Sequence, residues 1–218
     1  MWGKWISCGV PTAARGVFSA GQSAWSVIGD QPGLVGQVGG WDPATGRAHV
    51  LGMWADARMY RRFMDERHDA VVAGIRQDAG YRSIEIAAGG TVLEMAGDAA
   101  DLPQALKSAT LLRVADCRLL PGREDHFLEV QREVWAPGMA AAGGMLAGVV
   151  TQLARSRCLV TSLWTGPAAH RHYADHHLPG LRSRAALGGD LQAMAGHVLP
   201  LEEAWRVLPE PSPVEGGR

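Results

Sequence analysis

An excess of charge of one sign is missing from this sequence. Its 218 residues hold 21 Lys plus Arg against 22 Asp plus Glu, a formal net charge of −1. That leaves no electrostatic footprint for nucleic acid or for an anionic membrane surface. Lysine itself is nearly absent, with only Lys4 and Lys107, and the remaining cations are arginines. Cysteine is scarce: Cys8, Cys117 and Cys158, with no CxxC pair. An odd, sparse set of thiols makes no disulfide framework and fits a reducing cytosol. No apolar run approaches the ~18 residues of a membrane-crossing helix. The N-terminus lacks a charged segment followed by an apolar one, so no signal peptide is expected. No GxSxG, P-loop or HExxH pattern occurs. Gly33-Leu-Val-Gly36-Gln-Val-Gly39-Gly40 is glycine-rich but lacks the strand–GxGxxG–helix setting of a dinucleotide site. A cytoplasmic, non-membrane, non-nucleic-acid-binding protein is the expectation, and 47% hydrophobic with 20% charged residues is ordinary for one.

What the sequence does contain is a repeat, the feature to look for first. His49-Val-Leu-Gly-Met-Trp54 with Tyr60, Phe63 and Asp65 lines up with Leu159-Val-Thr-Ser-Leu-Trp164 with His170, Tyr173 and Asp175 at a constant offset of 110. The same offset pairs Trp25 with Trp135. One residue more pairs Gly33-Leu-Val-Gly with Gly144-Met-Leu-Ala, and one less pairs Cys8 with Cys117. Drift of one residue is what small loop insertions in a duplication produce.

Each copy reads as β-α-β-β-α-β. In the first, a strand at Trp5–Val10 precedes a helix near Val17–Ile28. Strands Leu34–Trp41 and His49–Trp54 flank the turn Asp42-Pro-Ala-Thr-Gly46. Asp56 caps a helix over Ala57–Ile75, and Ser83–Met95 is the last strand. In the second, the elements fall at Leu111–Leu120, Arg123–Trp135 (stopping before Pro137), Met145–Leu153, Cys158–Trp164, a helix from Pro167 to about Leu187, and a closing segment His197–Val207. The expected organisation is a first repeat over 1–97, a linker over 98–109 with one weak helical turn, a second repeat over 110–208, and a disordered tail over 209–218. This order is the split βαβ of ferredoxin-like folds. Its sheet has both helices on one face, so the bare face needs a cover, which a second copy supplies. The fold class is therefore α+β, with tandem ferredoxin-like repeats forming an intramolecular barrel. A monomer suffices for that, and a homodimer stays open.

At this point the chain resembles the dimeric α+β-barrel superfamily of antibiotic-biosynthesis monooxygenases and heme-degrading monooxygenases, and more narrowly the YdbC-like bacterial family. The residues that carry the resemblance are Lys4-Trp5-Ile, Gly33 to Trp41, Phe63-Met-Asp-Glu-Arg-His68-Asp, Arg113-Val-Ala-Asp-Cys117-Arg and Val134-Trp-Ala-Pro-Gly-Met139. It implies the two-copy barrel, and it implies no single reaction, because the superfamily hosts several. In the heme-degrading relatives an Asn stands just before a strand Arg-Leu; here Cys117-Arg118-Leu119 occupies that place.

Candidate site residues follow from the repeat. His68 lies at the edge of the apolar stripe of the second helix, with Met64 and Val72 four residues either side. Its counterpart is Leu178, with His176 and His177 just before it. A neutral histidine there suits general-base work or ligation. Tyr173, Cys117 and Cys8 complete the catalytic candidates, against the plainer reading of both cysteines as inert core thiols. Trp54, Trp164, Trp25, Trp135, Phe63 and Tyr60 are candidates for an aromatic wall around a flat substrate, against the plainer reading as core. His172 and His176, four apart on one helix, are a weak metal pair without a third ligand. The function expected is a small-molecule enzyme of secondary metabolism, a cofactor-independent monooxygenase or a cyclase/isomerase for an aromatic or polyketide-like substrate. The alternatives are a heme-binding or heme-modifying protein and a non-catalytic ligand-binding protein.

Overall fold

The computed structural model describes residues 1–75 and 80–210; residues 211–218 of the expected tail lie outside the described residues. The first copy runs β1 (Trp2–Gly9), α1 (Arg15–Ser23) with a 3-10 turn to Ile28, β2 (Leu34–Trp41), β3 (Ala48–Trp54), α2 (Ala57–Phe63), a π turn (Met64–His68), α3 (Asp69–Ile75) and β4 (Ser83–Ala96). Then comes α4 (Leu102–Ser108). The second copy runs β5 (Leu111–Leu119), α5 (Glu124–Val130), a π turn (Gln131–Trp135), α6 (Ala136–Ala140), β6 (Met145–Ala154), β7 (Arg157–Trp164), α7 (Pro167–His176), α8 (Leu178–Ala185) and β8 (Leu191–Pro200). Asp56 caps α2 as expected, its carboxylate accepting from the backbone N–H groups of Arg58 and Met59 at 2.7 and 2.8 Å.

All eight strands join one antiparallel sheet in the order β2-β3-β1-β4-β6-β7-β5-β8, the same permutation twice. The pairing registers repeat as well. Trp2 faces Trp54 and Leu111 faces Trp164; Cys8 faces Ala48 and Cys117 faces Cys158. Both second strands bulge at the same place, between Leu34 and Gly36 and between Met145 and Ala147. The offsets of 109, 110 and 111 seen in sequence are therefore true structural equivalences, with single-residue differences taken up in loops.

The sheet curls, and its two edges meet. The seam between β4 and β6 is a full ladder from Gly90 opposite Gln152 to Ala96 opposite Ala147. The seam between β8 and β2 is short. Pro200 has no N–H to give at the end of β8, and contact resumes only with Glu202 N–H to Gly39 O at 2.9 Å and the Gln37–Val207 bridge. Three layers of core result. The barrel interior holds Trp5, Val38, Leu51 and Met53 from the first copy with Leu112, Val114, Leu159 and Leu163 from the second. The helices of the second copy cover Cys117, Phe127, Trp135, Val160 and Tyr173. Those of the first cover Cys8, Phe18, Leu34, Trp54 and Phe63.

Four expectations need correcting. The segment 98–109 holds more than a weak turn: α4 is capped by Asp101 and buries Ala105 and Leu106 in the barrel interior, plugging one end. The helix expected to stop before Pro137 continues to Ala140, because the wider π turn over Gln131–Trp135 loosens the ladder where proline has no N–H to offer. The last helix breaks at His177, ahead of Pro179, instead of running on to Leu187. The closing strand is Leu191–Pro200, not His197–Val207; its Gln192-Ala-Met-Ala-Gly run has too few large apolar residues to show alternation. The chain after β8 crosses back to the first copy, where Trp205 packs with Phe18 and Val50, and Val207 with Ile28 and Leu34.

The close seam depends on Gly89, where a Cβ would strike the carbonyl group of Gln152. Gly89→Ala is expected to cost roughly 2–3 kcal/mol, since backbone on both sides cannot yield cheaply. Urea unfolding checks this, and a loss under ~0.5 kcal/mol would mean the strands slide apart freely.

Candidate active site

Alternation on β1 decides what faces what. Lys4, Ile6 and Cys8 point to the helices, whereas Trp5 and Ser7 point into the barrel. Between β1, β3, β4 and the helices of the first copy lies a cavity of about 210 Å³. Trp25, Trp54, Phe63 and Tyr60 form its aromatic wall, with Trp54 and Phe63 stacked at 4.9 Å. Lys4, Gln22, Gln37 and His68 are its polar groups.

Lys4 is 8% exposed and has no carboxylate partner among the described residues. Its ammonium lies 3.9 Å from the Met64 sulfur and 5.8 Å from the centre of the Tyr60 ring. Burial in these surroundings pushes its pKa down to about 8. Gln22 Oε1 and Gln37 Nε2 are buried with no hydrogen-bond partner among the described residues, an open acceptor and an open donor beside the same space. His68 sits at the end of the π turn, its ring 5.9 Å from both Trp25 and Phe63. Its Nδ1 is 3.0 Å from the carboxylate of Asp69, which orients the ring and leaves Nε2 for other work. Cys8 also lines the cavity, but burial raises its thiol pKa to about 11, so it presents S–H and not a thiolate.

The second copy has the corresponding cavity, about 250 Å³, lined by Arg113, Cys117, Gln131, Trp135, Val160 and Leu178 among others. Position for position these answer to Lys4, Cys8, Gln22, Trp25, Val50 and His68. Burial raises Cys117 to about 12. Trp164 is wholly buried and donates its indole N–H to Ser162 Oγ at 3.0 Å, a core contact. Tyr173 is likewise buried, with its hydroxyl unpaired among the described residues. His172, His176 and His177 do not line the cavity. His176 Nδ1 is taken by the carbonyl of His172, and their rings stack at 4.5 Å on the exposed face of α7. The structure thus gathers Cys8, Trp25, Trp54, Tyr60, Phe63 and His68 in one place and leaves His176 and His177 outside. Sequence reasoning missed Lys4, Gln22 and Gln37. The offset of 109 that pairs the cysteines also pairs Lys4 with Arg113 and Gln22 with Gln131, and that was the available signal.

The fold and the twin cavities define a dimeric α+β barrel folded from one chain. Solved structures of similar shape agree across nearly the whole chain. A Lactobacillus acidophilus protein, provisionally called a monooxygenase, superposes with a TM-score of 0.70 at 10% identity, covering 95% of each chain. A Fusobacterium nucleatum protein with the same provisional description gives 0.71 at 9% identity, covering 92% of this chain and 91% of its own. An anthrone oxidase-like protein gives 0.66 at 12% identity, covering 93% and 91%. In sequence, residues 3–88 match the domain of unknown function DUF4937. The uncharacterized protein YdbC of Bacillus subtilis is 31% identical over 88 residues, 38% of this chain and 72% of YdbC. The chain belongs to the YdbC-like family, and both matches are of a length that fits the first copy alone. Among the described residues no helix is long and apolar enough to cross a membrane.

Of the two cavities only the first has a histidine in its lining, His68, that could serve as an axial ligand to heme; the second offers none.

Proposed function

We propose that the first copy's cavity is the active site of an enzyme that removes a proton from a small aromatic ketone or phenol, without a cofactor. His68, held by Asp69, takes the proton. Lys4 pairs with the oxyanion that forms, and the Trp25, Trp54 and Phe63 rings hold the flat substrate. The observation that carries this reading is Lys4: a buried ammonium with no carboxylate partner among the described residues, facing an aromatic-walled space with two open amide groups. Such a cation is costly to bury unless an anion arrives during function. Cyclisation or isomerisation needs nothing beyond the enolate. In the monooxygenase form the carbanion reacts with O2: a CH2 group becomes C=O, one O2 is consumed and one water leaves. The second copy has Leu178 where His68 stands, so it lacks the base and serves as scaffold or binding site.

Anthrone is the first probe, being flat, weakly acidic and oxidisable at one carbon. Oxygen uptake with anthrone and a panel of naphthols and aromatic 1,3-diketones is expected to show turnover, reduced about 10²-fold by His68→Gln, the lower end for loss of a general base. Cys8→Ser is expected to leave turnover intact. Ligand binding by tryptophan quenching with no turnover, unchanged by His68→Gln, would overturn the enzymatic reading in favour of a ligand-binding protein.

A further inference from the structure

On the opposite side of the sheet, inside the barrel, three side chains converge that the proposed reaction does not use. We infer that Asp42, His49 and His197 form a binding site for a divalent transition-metal ion of the zinc or ferrous class. Their donor atoms all lie within 4.8 Å of one another. Asp42 Oδ2 is 2.8 Å from His197 Nδ1 and 3.8 Å from His49 Nε2, and the two imidazoles are 4.5 Å apart between ring centres. Two histidines and one carboxylate suit these ions and leave coordination positions open.

The residues come from three elements and both copies. Asp42 begins the turn after β2, His49 lies on β3, and His197 comes from β8 across the short seam. His49 is the second, independent sign of a ligand. It is 1% exposed, and neither of its ring nitrogens has a hydrogen-bond partner among the described residues. A buried neutral imidazole carries a proton on one nitrogen and a lone pair on the other, so leaving both unmatched is unfavourable. A metal ion at the Asp42–His197 side satisfies one of them.

The surroundings hold the donors in place. Asp42 accepts from the backbone N–H of Ala44 at 2.9 Å and from the Thr45 hydroxyl at 2.8 Å, which fixes the carboxylate plane. Trp5 stacks on His49 at 4.8 Å and 12°, which fixes the imidazole plane. Donors around one ion with bonds of ~2.0–2.2 Å stand ~3 Å apart, so on binding the 3.8 Å Asp42–His49 separation and the span of the three donors, within 4.8 Å, both close. His49 and His197 also line a cavity of about 420 Å³ with Arg47, Arg118 and Arg157 on its walls. A bound ion would face that space, where water or a small anion completes its shell. The alternative reading is a bare His197–Asp42 hydrogen bond stapling the copies together, and it leaves His49 unexplained.

Equilibrium dialysis of the chelator-treated full chain against Zn²⁺, and visible absorption with Co²⁺, test this. One ion per chain is expected. His49→Asn and His197→Gln are each expected to weaken it at least ~10-fold, while a His172→Ala/His176→Ala double variant and Lys4→Met leave it unchanged. Zn²⁺ is expected to raise the melting temperature of the parent chain and not of His197→Gln, which keeps the test valid if His49→Asn folds poorly. No stoichiometric ion, or an ion lost only with the His172/His176 variant, overturns the site. Absence of turnover by the parent chain while it still binds one ion would refute the proposed reaction alone.

Discussion

Lys4→Met is expected to make the protein more stable and inactive. The ammonium is buried without a counter-charge among the described residues, and burial lowers its pKa from 10.5 to about 8. Such a shift corresponds to about 3 kcal/mol of unfavourable burial. The unfolded chain binds a proton here that the folded one gives up between pH 8 and 10.5, so unfolding free energy rises with pH across that window. Below pH 8 the full penalty is present, and above 10.5 it is gone. A methionine beside Met64 fills similar volume without charge. The gain in melting temperature should therefore be roughly 5–10 °C at pH 7 for a chain of this size, shrinking towards zero near pH 10.5. Turnover should fall about 10²–10³-fold, the usual cost of losing an oxyanion-stabilising group. In the parent chain, the proposed activity should drop as pH rises through about 8, where Lys4 loses its charge. Calorimetry at pH 7 and 10 with a pH–rate profile measures all three. A variant less stable than the parent at pH 7 would show that Lys4 already has a partner.

Trp205→Ala is expected to be the most damaging single substitution for the first copy. Trp205 is 1% exposed and meets Phe18 at 5.6 Å and Trp41 at 5.3 Å, both nearly edge-on. It arrives there from the chain after β8, anchored by Arg206, which donates to the carbonyls of Leu106 and Ala109. Truncation of a buried tryptophan costs about 3–5 kcal/mol, or roughly 10 °C here. Because the strap seals the helix layer over β1 and β3, hydrogen exchange should accelerate most in α1, with the second copy little changed. Equal acceleration in both copies would mean the strap is only a passive end.

Much of this architecture is readable in the chain because the duplication supplies an internal standard. Trp54 and Trp164 end β3 and β7, and the Gly33 and Gly144 segments enter strands with the same bulge. The repeat singled out Cys8, which lines the cavity, and stepping back by four residues on the same strand reaches Lys4; a lone lysine simply carries no pattern of its own. His176 and His177 were misleading because the register of the repeat brings Leu178 to the cavity, while His176 is exposed and His177 half-buried against His172 beside the break before Pro179. Asp42, His49 and His197 were invisible for a different reason. His197 is 155 residues from Asp42, and only closure of the barrel brings them together.

That closure has an evolutionary consequence. In a two-fold assembly of separate chains, any substitution enters both halves at once and must be tolerated in both. A chain that carries both halves escapes this coupling. Here Lys4 and His68 persist opposite Arg113 and Leu178, and His197 meets His49 once, with Ala87 and Leu159 at the mirror positions. The fusion behaves as an obligate heterodimer of fixed one-to-one composition, in which one half is free to specialise while the other supports it.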